Sequence, residues 1–326
     1  MVKSRKAGLL ISALGGLVLL MAWGTAVAEH GPSGKPALDP ALAKYVPSIQ
    51  VSGSLKIAGS NTMLPLVSRL ASEFRRRHPD AVIRVEGGGS STAVKEFVNA
   101  SNSSKPSHQG LMVASSRRLS ETEVKQFTAK HGYEPQAVPV AVDAVGVYVH
   151  RDNPLPSLTL DQVDAVFSIT RHRGYPSGIM RWNQLGLDNG WSNAPITLYG
   201  RDQKSGTRAF LREHVLENGE FVSDIREEPG AASVILALSR DPLGMGYSGI
   251  GLQASTVRAV PLADTEGMPF VEPSAESVMN GSYPLRRLLY LYVDKSPTGT
   301  LSPVVQEFLT FANSREGQET AVKTGF

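Results

Sequence analysis

The chain has 326 residues, of which 41% are hydrophobic and 19% charged, so it can build a sizeable core beneath a soluble surface. Its formal net charge is only +3, which argues against a nucleic-acid partner, because such proteins carry a clustered basic face. It contains no cysteine, and its seven histidines lack metal-binding spacing, so we expect no disulfide, no metal and no other cofactor.

The N-terminus is typical of an export signal. A basic start precedes an uncharged apolar run over 8–23 and the small-x-small motif Ala26-Val27-Ala28. We predict a signal peptide over 1–28 and a mature protein that is periplasmic or secreted. A retained membrane anchor is the alternative, but the run is shorter than the roughly 20 residues that span a bilayer. Residues 29–50, rich in Gly and Pro, predict a linker or an added edge segment.

Strands and helices then alternate. Residues 54–58 predict a strand, which the polar turn Gly59-Ser60-Asn61-Thr62 joins to a helix over 64–77 with one apolar face. A second strand over 81–85 runs into Gly87-Gly88-Gly89-Ser90-Ser91-Thr92, which opens another helix. This order predicts an α/β fold with mixed, mostly parallel sheets.

Two apolar segments predict crossings between domains. Residues 137–150 are almost unbroken apolar sequence, long enough for one strand that passes from one domain into the next, and 244–249 is a second candidate. Two crossings predict a two-lobed protein with a hinge. We assign 51–138 plus 247–326 to lobe I and 139–246 to lobe II.

Three strand-to-helix junctions share one chemistry. At 59–62, 87–92 and 204–207, glycine allows close backbone approach and a hydroxyl lies at the first turn of a helix. Free N–H groups at such a helix end favour an oxyanion. Ordinary N-capping is the better explanation of any one junction taken alone. Three of them at the carboxyl ends of strands favour a shared site, and the glycine spacing is not that of a nucleotide fingerprint, so a small anion fits best.

Two charged residues stand out. Arg201 lies four residues before Ser205-Gly206-Thr207 and can turn a planar fork of donors toward an anion at that helix. Asp143 lies inside the apolar stretch, where a lone carboxylate is expensive to bury. It either forms a salt bridge with an arginine or accepts a proton carried by the ligand. Phosphate carries such a proton near neutral pH and sulfate does not, so a proton-accepting Asp143 would favour the binding of phosphate over that of sulfate.

At this point the chain resembles the periplasmic phosphate-binding proteins of the high-affinity phosphate ABC importer, from about Gly53 to Phe326. The segments that carry the resemblance are Ala-Gly-Ser-Asn-Thr, Val-Glu-Gly-Gly-Gly-Ser-Ser, Ala-Ser-Ser-Arg, Ala-Val-Asp-Ala-Val-Gly-Val, Arg-Asp-x-x-Ser-Gly-Thr, Gly-Met-Gly-Tyr-Ser-Gly and Tyr-Pro-Leu-Arg-Arg-Leu-Leu-Tyr. The resemblance implies a Venus-flytrap protein that encloses phosphate and delivers it to an inner-membrane ABC permease.

The resemblance also implies ligand-binding residues. We add the Ser60 hydroxyl of the first turn and, from the third loop, Ser116 and Arg117. The full set of candidates is Ser60, Thr62, the Met63 N–H, Ser90, Ser116, Arg117, Asp143, Arg201, Ser205, the Gly206 N–H and Thr207. Ser116 lies where well-known members carry a proton-accepting Asp. Other members have Ser-Arg there and an Asp in the crossover strand, so we infer that Asp143 takes this role.

We therefore predict phosphate uptake by a monomeric binding protein that is not an enzyme. Binding of sulfate, molybdate or tungstate is one alternative. A secreted phosphatase is another, but it needs a nucleophile paired with a base, or a two-metal cluster, and the sequence offers no motif for either.

Overall fold

The computed structural model describes residues 38–100 and 111–326, apart from 189, 192 and 253. The predicted signal peptide and the start of the predicted linker lie outside these residues. Each helix in the described part of the chain is too short or too polar to cross a membrane.

Strands and helices alternate along the described chain. The strands are β1 (Gly53–Gly59), β2 (Ala81–Glu86), β3 (Leu111–Ser115), β4 (Gln136–His150), β5 (Leu158–Thr159), β6 (Thr197–Arg201), β7 (Arg226–Glu228), β8 (Gly244–Gly249), β9 (Val257–Ala259), β10 (Leu262–Ala263) and β11 (Arg286–Val293). The helices are α1 (Leu64–Arg77), α2 (Ser90–Asn99), α3 (Glu121–His131), α4 (Leu160–Phe167), α5 (Gly206–His214), α6 (Ala231–Leu238), α7 (Ala275–Met279), α8 (Pro303–Ala312) and α9 (Arg315–Lys323).

Nine of the described strands form one continuous mixed sheet in the order β2-β1-β3-β11-β4-β8-β6-β7, with β9 beside β4. Strand β1 is parallel to β2 and β3, and β6 is parallel to β7 and β8. Strand β11 runs antiparallel between β3 and β4. The predicted α/β class is confirmed.

Strand β4 is the long crossing strand predicted from its apolar sequence. It has 15 residues and changes partner midway. Up to Ala144 it pairs with β11, and from Val145 it pairs with β8. We call β2, β1, β3, β11 and the start of β4 the first sheet half, and the end of β4 with β8, β9, β6 and β7 the second sheet half.

Each sheet half has its own core. The first buries Ile57, Phe74 and Phe308 among neighbouring side chains, and the second buries Trp182 and Tyr247. Separate cores allow each half to behave as a rigid body while the strands that join them bend.

The segment after β8 stays with the second core. Val260, Leu262 and Tyr283 pack there, although they fall within the range predicted for lobe I. The hydroxyl of Tyr283 donates to the carbonyl of Val145 at 3.1 Å. The chain returns to the first half only at Arg286, where β11 begins. The boundary suggested by the segment 244–249 therefore differs from the one that packing marks, because the chain crosses back after Leu285.

The described end of the predicted linker packs against the first core. The hydroxyl of Tyr45 donates to Glu307 Oε1 at 2.8 Å and lies 2.6 Å from His78 Nε2. All three residues are buried. This end of the segment is anchored through side-chain hydrogen bonds.

Candidate anion-binding site

The first loop of the site follows β1. Gly59 has φ of +139°, and a Cβ there would lie 2.2 Å from the Ala114 carbonyl oxygen, so glycine alone lets β1 approach the end of β3 this closely. Ser60 N–H donates to that oxygen at 2.8 Å. Met63 N–H, a predicted ligand, donates to the Ser60 carbonyl at 3.1 Å within the turn. Thr62 is 7% exposed and directs its hydroxyl across to α5.

The second and third loops meet through two serines. Ser90 begins α2, and its Oγ accepts a hydrogen bond from Ser116 N–H at 3.2 Å. The two hydroxyl oxygens lie 3.4 Å apart, and both residues are fully buried. A Cβ on Gly206 would lie 2.4 Å from Ser90 Oγ and 2.6 Å from Ser116 Oγ. The first residue of α5 therefore lies directly against both serines.

Helix α5 begins with the N-cap that its sequence predicts. Ser205 Oγ accepts hydrogen bonds from Thr207 N–H at 3.1 Å and Arg208 N–H at 3.4 Å. The capping interpretation is therefore correct for Ser205, but it uses only the oxygen. Its hydroxyl hydrogen, together with the positive end of the helix, can still face an anion.

Arg201 ends β6 and is 1% exposed. Its Nη1 donates to Thr62 Oγ1 at 3.4 Å and its Nη2 to the Pro229 carbonyl at 3.1 Å. Its Nε is buried without a hydrogen-bond partner among the described residues. Burial lowers the pKa of Arg201, the nearby charge of Arg287 lowers it further, and Asp202 opposes this. An anion would relieve the cost of holding two guanidinium groups together.

Asp143 and Arg287 form a buried ion pair between neighbouring strands. Arg287 Nη2 and Nε donate to the same carboxylate oxygen, Oδ2, at 2.6 and 2.8 Å. Arg287 Nη1 donates to Thr207 Oγ1 at 3.0 Å. Asp143 Oδ1 is buried with no partner in the described part of the chain. The carboxylate thus uses one oxygen in a salt bridge and keeps the other as an acceptor, so both roles considered for it are compatible.

Arg287 is not among the site residues predicted from the sequence. The signal was present, because an arginine precedes the apolar run of β11 and stands opposite Asp143 in the strand register. Recognising it required knowing that β11 and β4 are neighbours.

These residues surround one small volume. A Cβ on Gly249 would lie 3.3 Å from Thr62 Cγ2, 3.4 Å from Arg287 Nη2 and 3.5 Å from Asp143 Oδ2. Thr62 Oγ1 and Thr207 Oγ1 are 3.2 Å apart. Two guanidinium groups and one carboxylate leave one excess positive charge, surrounded by hydroxyls and a helix N-terminus. Such a set can hold a small tetrahedral oxyanion.

The Arg117 side chain turns away from this volume. Its Nη1 and Nη2 donate to the two carboxylate oxygens of Glu123 at 2.7 and 2.8 Å. Glu123 also accepts from Ser120 N–H in the capping box of α3. The guanidinium therefore fastens the start of α3 to the end of β3. Within the described residues, His, Asp and Glu side chains form no group of three that could hold a metal ion.

Comparisons of sequence show which known proteins the chain resembles. A PBP superfamily domain matches residues 46–316. The chain is 41% identical to the phosphate-binding protein PstS of Pseudomonas aeruginosa over 290 residues, which is 89% of this chain and 87% of that protein. It is 28% identical to PstS of Bacillus subtilis over 273 residues, 84% of this chain and 79% of that protein.

Comparisons of structure agree with those of sequence. A Clostridium perfringens protein, assigned as a phosphate ABC transporter substrate-binding protein and crystallised with phosphate, has a TM-score of 0.65 and 25% identity, covering 84% of this chain and 98% of that one. An ABC-type phosphate transport receptor from Vibrio cholerae shares the fold, with a TM-score of 0.63 and 18% identity over 83% of this chain and 98% of that one.

Proposed function

The chain belongs to the PstS phosphate-binding proteins of the PBP superfamily, and we propose that it captures inorganic phosphate outside the cytoplasm and delivers it to an ABC importer in the membrane. Its relatives are binding proteins, and we propose no enzymatic role, because the hydroxyls of the candidate site lie against arginines and backbone N–H groups whereas a hydroxyl nucleophile needs a base.

One observation carries this proposal: a buried hydrogen-bond acceptor and a buried hydrogen-bond donor in the candidate site both lack a partner. Asp143 Oδ1 can only accept and Arg201 Nε can only donate, and neither has a partner among the described residues. Buried polar atoms are rarely left unpaired, because each unmet one costs free energy. Phosphate offers both an O–H for the carboxylate and an oxygen for the guanidinium.

We propose a ligand set that combines the predicted residues with the one that the sequence analysis missed. Its donors are the hydroxyls of Thr62, Ser90, Ser116, Ser205 and Thr207, the Gly206 N–H, and the guanidinium groups of Arg201 and Arg287, and its acceptor is Asp143. Ser60 and Met63 shape the first loop. Arg117 is left out, because both of its Nη atoms pair with Glu123.

We further propose that the protein closes on phosphate like a hinge. The first lobe would comprise 51–144 and 286–326, and the second 145–285, because each range shares one sheet half and one core. The two chain segments at 144–145 and 285–286 would then form the hinge. The Ile250 N–H bonds to the Ala144 carbonyl at 3.0 Å there. Phosphate contacts both sides and so favours the closed state, which a permease can recognise.

The proposed acceptor also accounts for selectivity. Phosphate near neutral pH bears at least one proton, which Asp143 can accept, whereas fully deprotonated sulfate would place a lone pair against the carboxylate oxygen. An unpaired buried polar group costs several powers of ten in affinity, so phosphate is favoured over sulfate.

Calorimetric titration of the exported protein with phosphate, sulfate and molybdate in turn tests this proposal. We expect a micromolar or tighter Kd for phosphate, equivalent to about −8 kcal/mol, and no displacement by excess sulfate. Arg201→Ala should weaken phosphate binding at least about tenfold, the loss of one charge-assisted hydrogen bond. No heat with phosphate, or equal competition by sulfate, would overturn the proposed specificity.

A further inference from the structure

Asn61, in the turn between β1 and α1, bonds to both sides of the proposed cleft. Its Oδ1 accepts a hydrogen bond from Gly88 N–H at 2.9 Å, in the loop after β2 of the first sheet half. Its Nδ2 donates to the Pro229 carbonyl at 2.8 Å, in the loop between β7 and α6 of the second sheet half. The first bond orients the amide so that its donor points at the opposite side.

The Pro229 carbonyl is shared with the anion site. It also accepts a hydrogen bond from Arg201 Nη2 at 3.1 Å. One oxygen therefore receives a donor from Asn61 on one side of the cleft and from a proposed phosphate ligand on the other. When Arg201 is held by an anion, the carbonyl that Asn61 needs is held in place as well.

A second contact repeats this arrangement further along the cleft. Ser91 N–H donates to the Lys204 carbonyl at 3.1 Å. A Cβ on Gly89 would lie 2.3 Å from that carbonyl oxygen, and Gly89 has φ of +91°, so the two backbones touch only because this residue is glycine. Here too the first half donates and the second half accepts.

We infer that Asn61 is a positioning residue that stabilises the closed cleft without touching the anion, and that it slows phosphate release. The inference rests on the proposed phosphate binding for its kinetic consequence but not for the closure itself. Only an amide suits this place, because it must accept from Gly88 and donate to Pro229. Asn61→Asp keeps the first bond and turns the second into a repulsive contact between two oxygens, whereas Asn61→Ala removes both.

Stopped-flow fluorescence with inorganic phosphate measures the kinetic effect, using Trp182 and Trp191, whose rings lie 5.7 Å apart in the second core. We expect Asn61→Ala and Asn61→Asp to raise koff roughly 3- to 10-fold, the loss of one net hydrogen bond. For Asn61→Ala, kon should stay the same. Asn183→Asp, an exposed site in the second half, controls for the added charge. A change confined to kon, or none in either variant, would overturn the inference.

A measurement without phosphate separates the two proposals. The chain has no cysteine, so Val82→Cys in β2 and Ile169→Cys just after α4, 54% and 53% exposed and in opposite proposed lobes, accept a pair of spin labels specifically. We expect Asn61→Asp to shift the ligand-free distance distribution toward the longer, open state. If it does so in a protein that fails to bind phosphate, the closure role stands and the proposed function fails. Unchanged distances overturn the closure role.

Discussion

Arg287 directs two of its guanidinium nitrogens at a single oxygen of Asp143, at 2.6 and 2.8 Å, and leaves the other carboxylate oxygen free of the ion pair. The two residues are 144 positions apart in the chain and directly opposite in the β11–β4 ladder. The pair compensates a buried negative charge while keeping one acceptor for a protonated ligand.

Replacing Asp143 with asparagine should weaken discrimination more than affinity. The amide oxygen can accept from Arg287 while the NH2 group turns toward the ligand. This NH2 group can donate to sulfate but cannot accept the phosphate proton. We expect the phosphate-to-sulfate affinity ratio to fall at least about tenfold, because one charge-assisted hydrogen bond is lost. Paired calorimetric titrations with the two anions measure it.

Asp164→Asn is the matched control. Asp164 lies in α4 and is fully buried, and its Oδ2 accepts from Arg173 N–H at 2.9 Å, outside the anion site. This variant should lower stability but keep the wild-type ratio. A ratio that falls equally in both variants would mean that Asp143 acts only through general destabilisation.

Arg287→Gln should destabilise the protein strongly, because it leaves the Asp143 carboxylate buried without its cation. Breaking one partner of a buried pair costs about 3–5 kcal/mol. The double variant Asp143→Asn with Arg287→Gln removes both charges and should recover part of that loss. Urea unfolding of the wild type, both single variants and the double variant gives the coupling free energy. Strict additivity would contradict the ion pair.

Gly206→Ala should block closure on phosphate while leaving each half intact. The new methyl group would lie 2.4 Å from Ser90 Oγ and 2.6 Å from Ser116 Oγ across the proposed cleft. Overpacking of this kind costs about 1–3 kcal/mol, so we expect affinity to fall roughly tenfold or more. Calorimetry measures the affinity. Thermal unfolding measures the Tm, which should change little.

Gly178→Ala serves as the comparison for the same substitution. Its Cβ would meet no atom closer than 3.9 Å, an ordinary contact distance. Both affinity and Tm should stay at the wild-type values. If Gly206→Ala also binds phosphate normally, its helix start does not contact the serines in the closed state.

The anchor of the N-terminal segment should make stability depend on pH. Burial lowers the pKa of His78 below its ordinary value of 6.5, the charge of Glu307 opposes this, and Arg77 lowers it further. Val51 N–H donates to Nδ1 at 3.4 Å, and protonation of that atom would remove the acceptor. The unfolded chain therefore binds this proton at higher pH than the folded one. Stability from this group is complete above about pH 6.5 and falls as the pH drops below it.

Urea midpoints at pH 7.5 and pH 5.5 measure this effect. His78→Gln should show a smaller loss between the two values than the wild type, because the titrating group is gone. The exposed His172→Gln should retain the wild-type loss. An unchanged pH dependence in His78→Gln would exclude His78 as its source.

The class of fold and much of the candidate site could be predicted from local sequence. Apolar alternation marked the strands, and a glycine followed by a hydroxyl marked each strand-to-helix junction, because both signals depend on residues a few positions apart. Thr62, Ser90 and Thr207 lie in these junctions, and Arg201 was selected from its position four residues before Ser205. The structure brings the four together. An isolated carboxylate in an apolar strand was enough to single out Asp143.

The three-dimensional structure alone decided which distant segments meet. Arg287 enters the proposed site only because β11 lies beside β4, and Arg117 is left out of the proposed site because Glu123, in the next helix, pairs with it. Residues 260–285 follow the second core for the same reason. Periodicity tells which side chains are buried, since burial repeats along a helix or strand. It does not tell which strands become neighbours, since that depends on the packing of the whole chain.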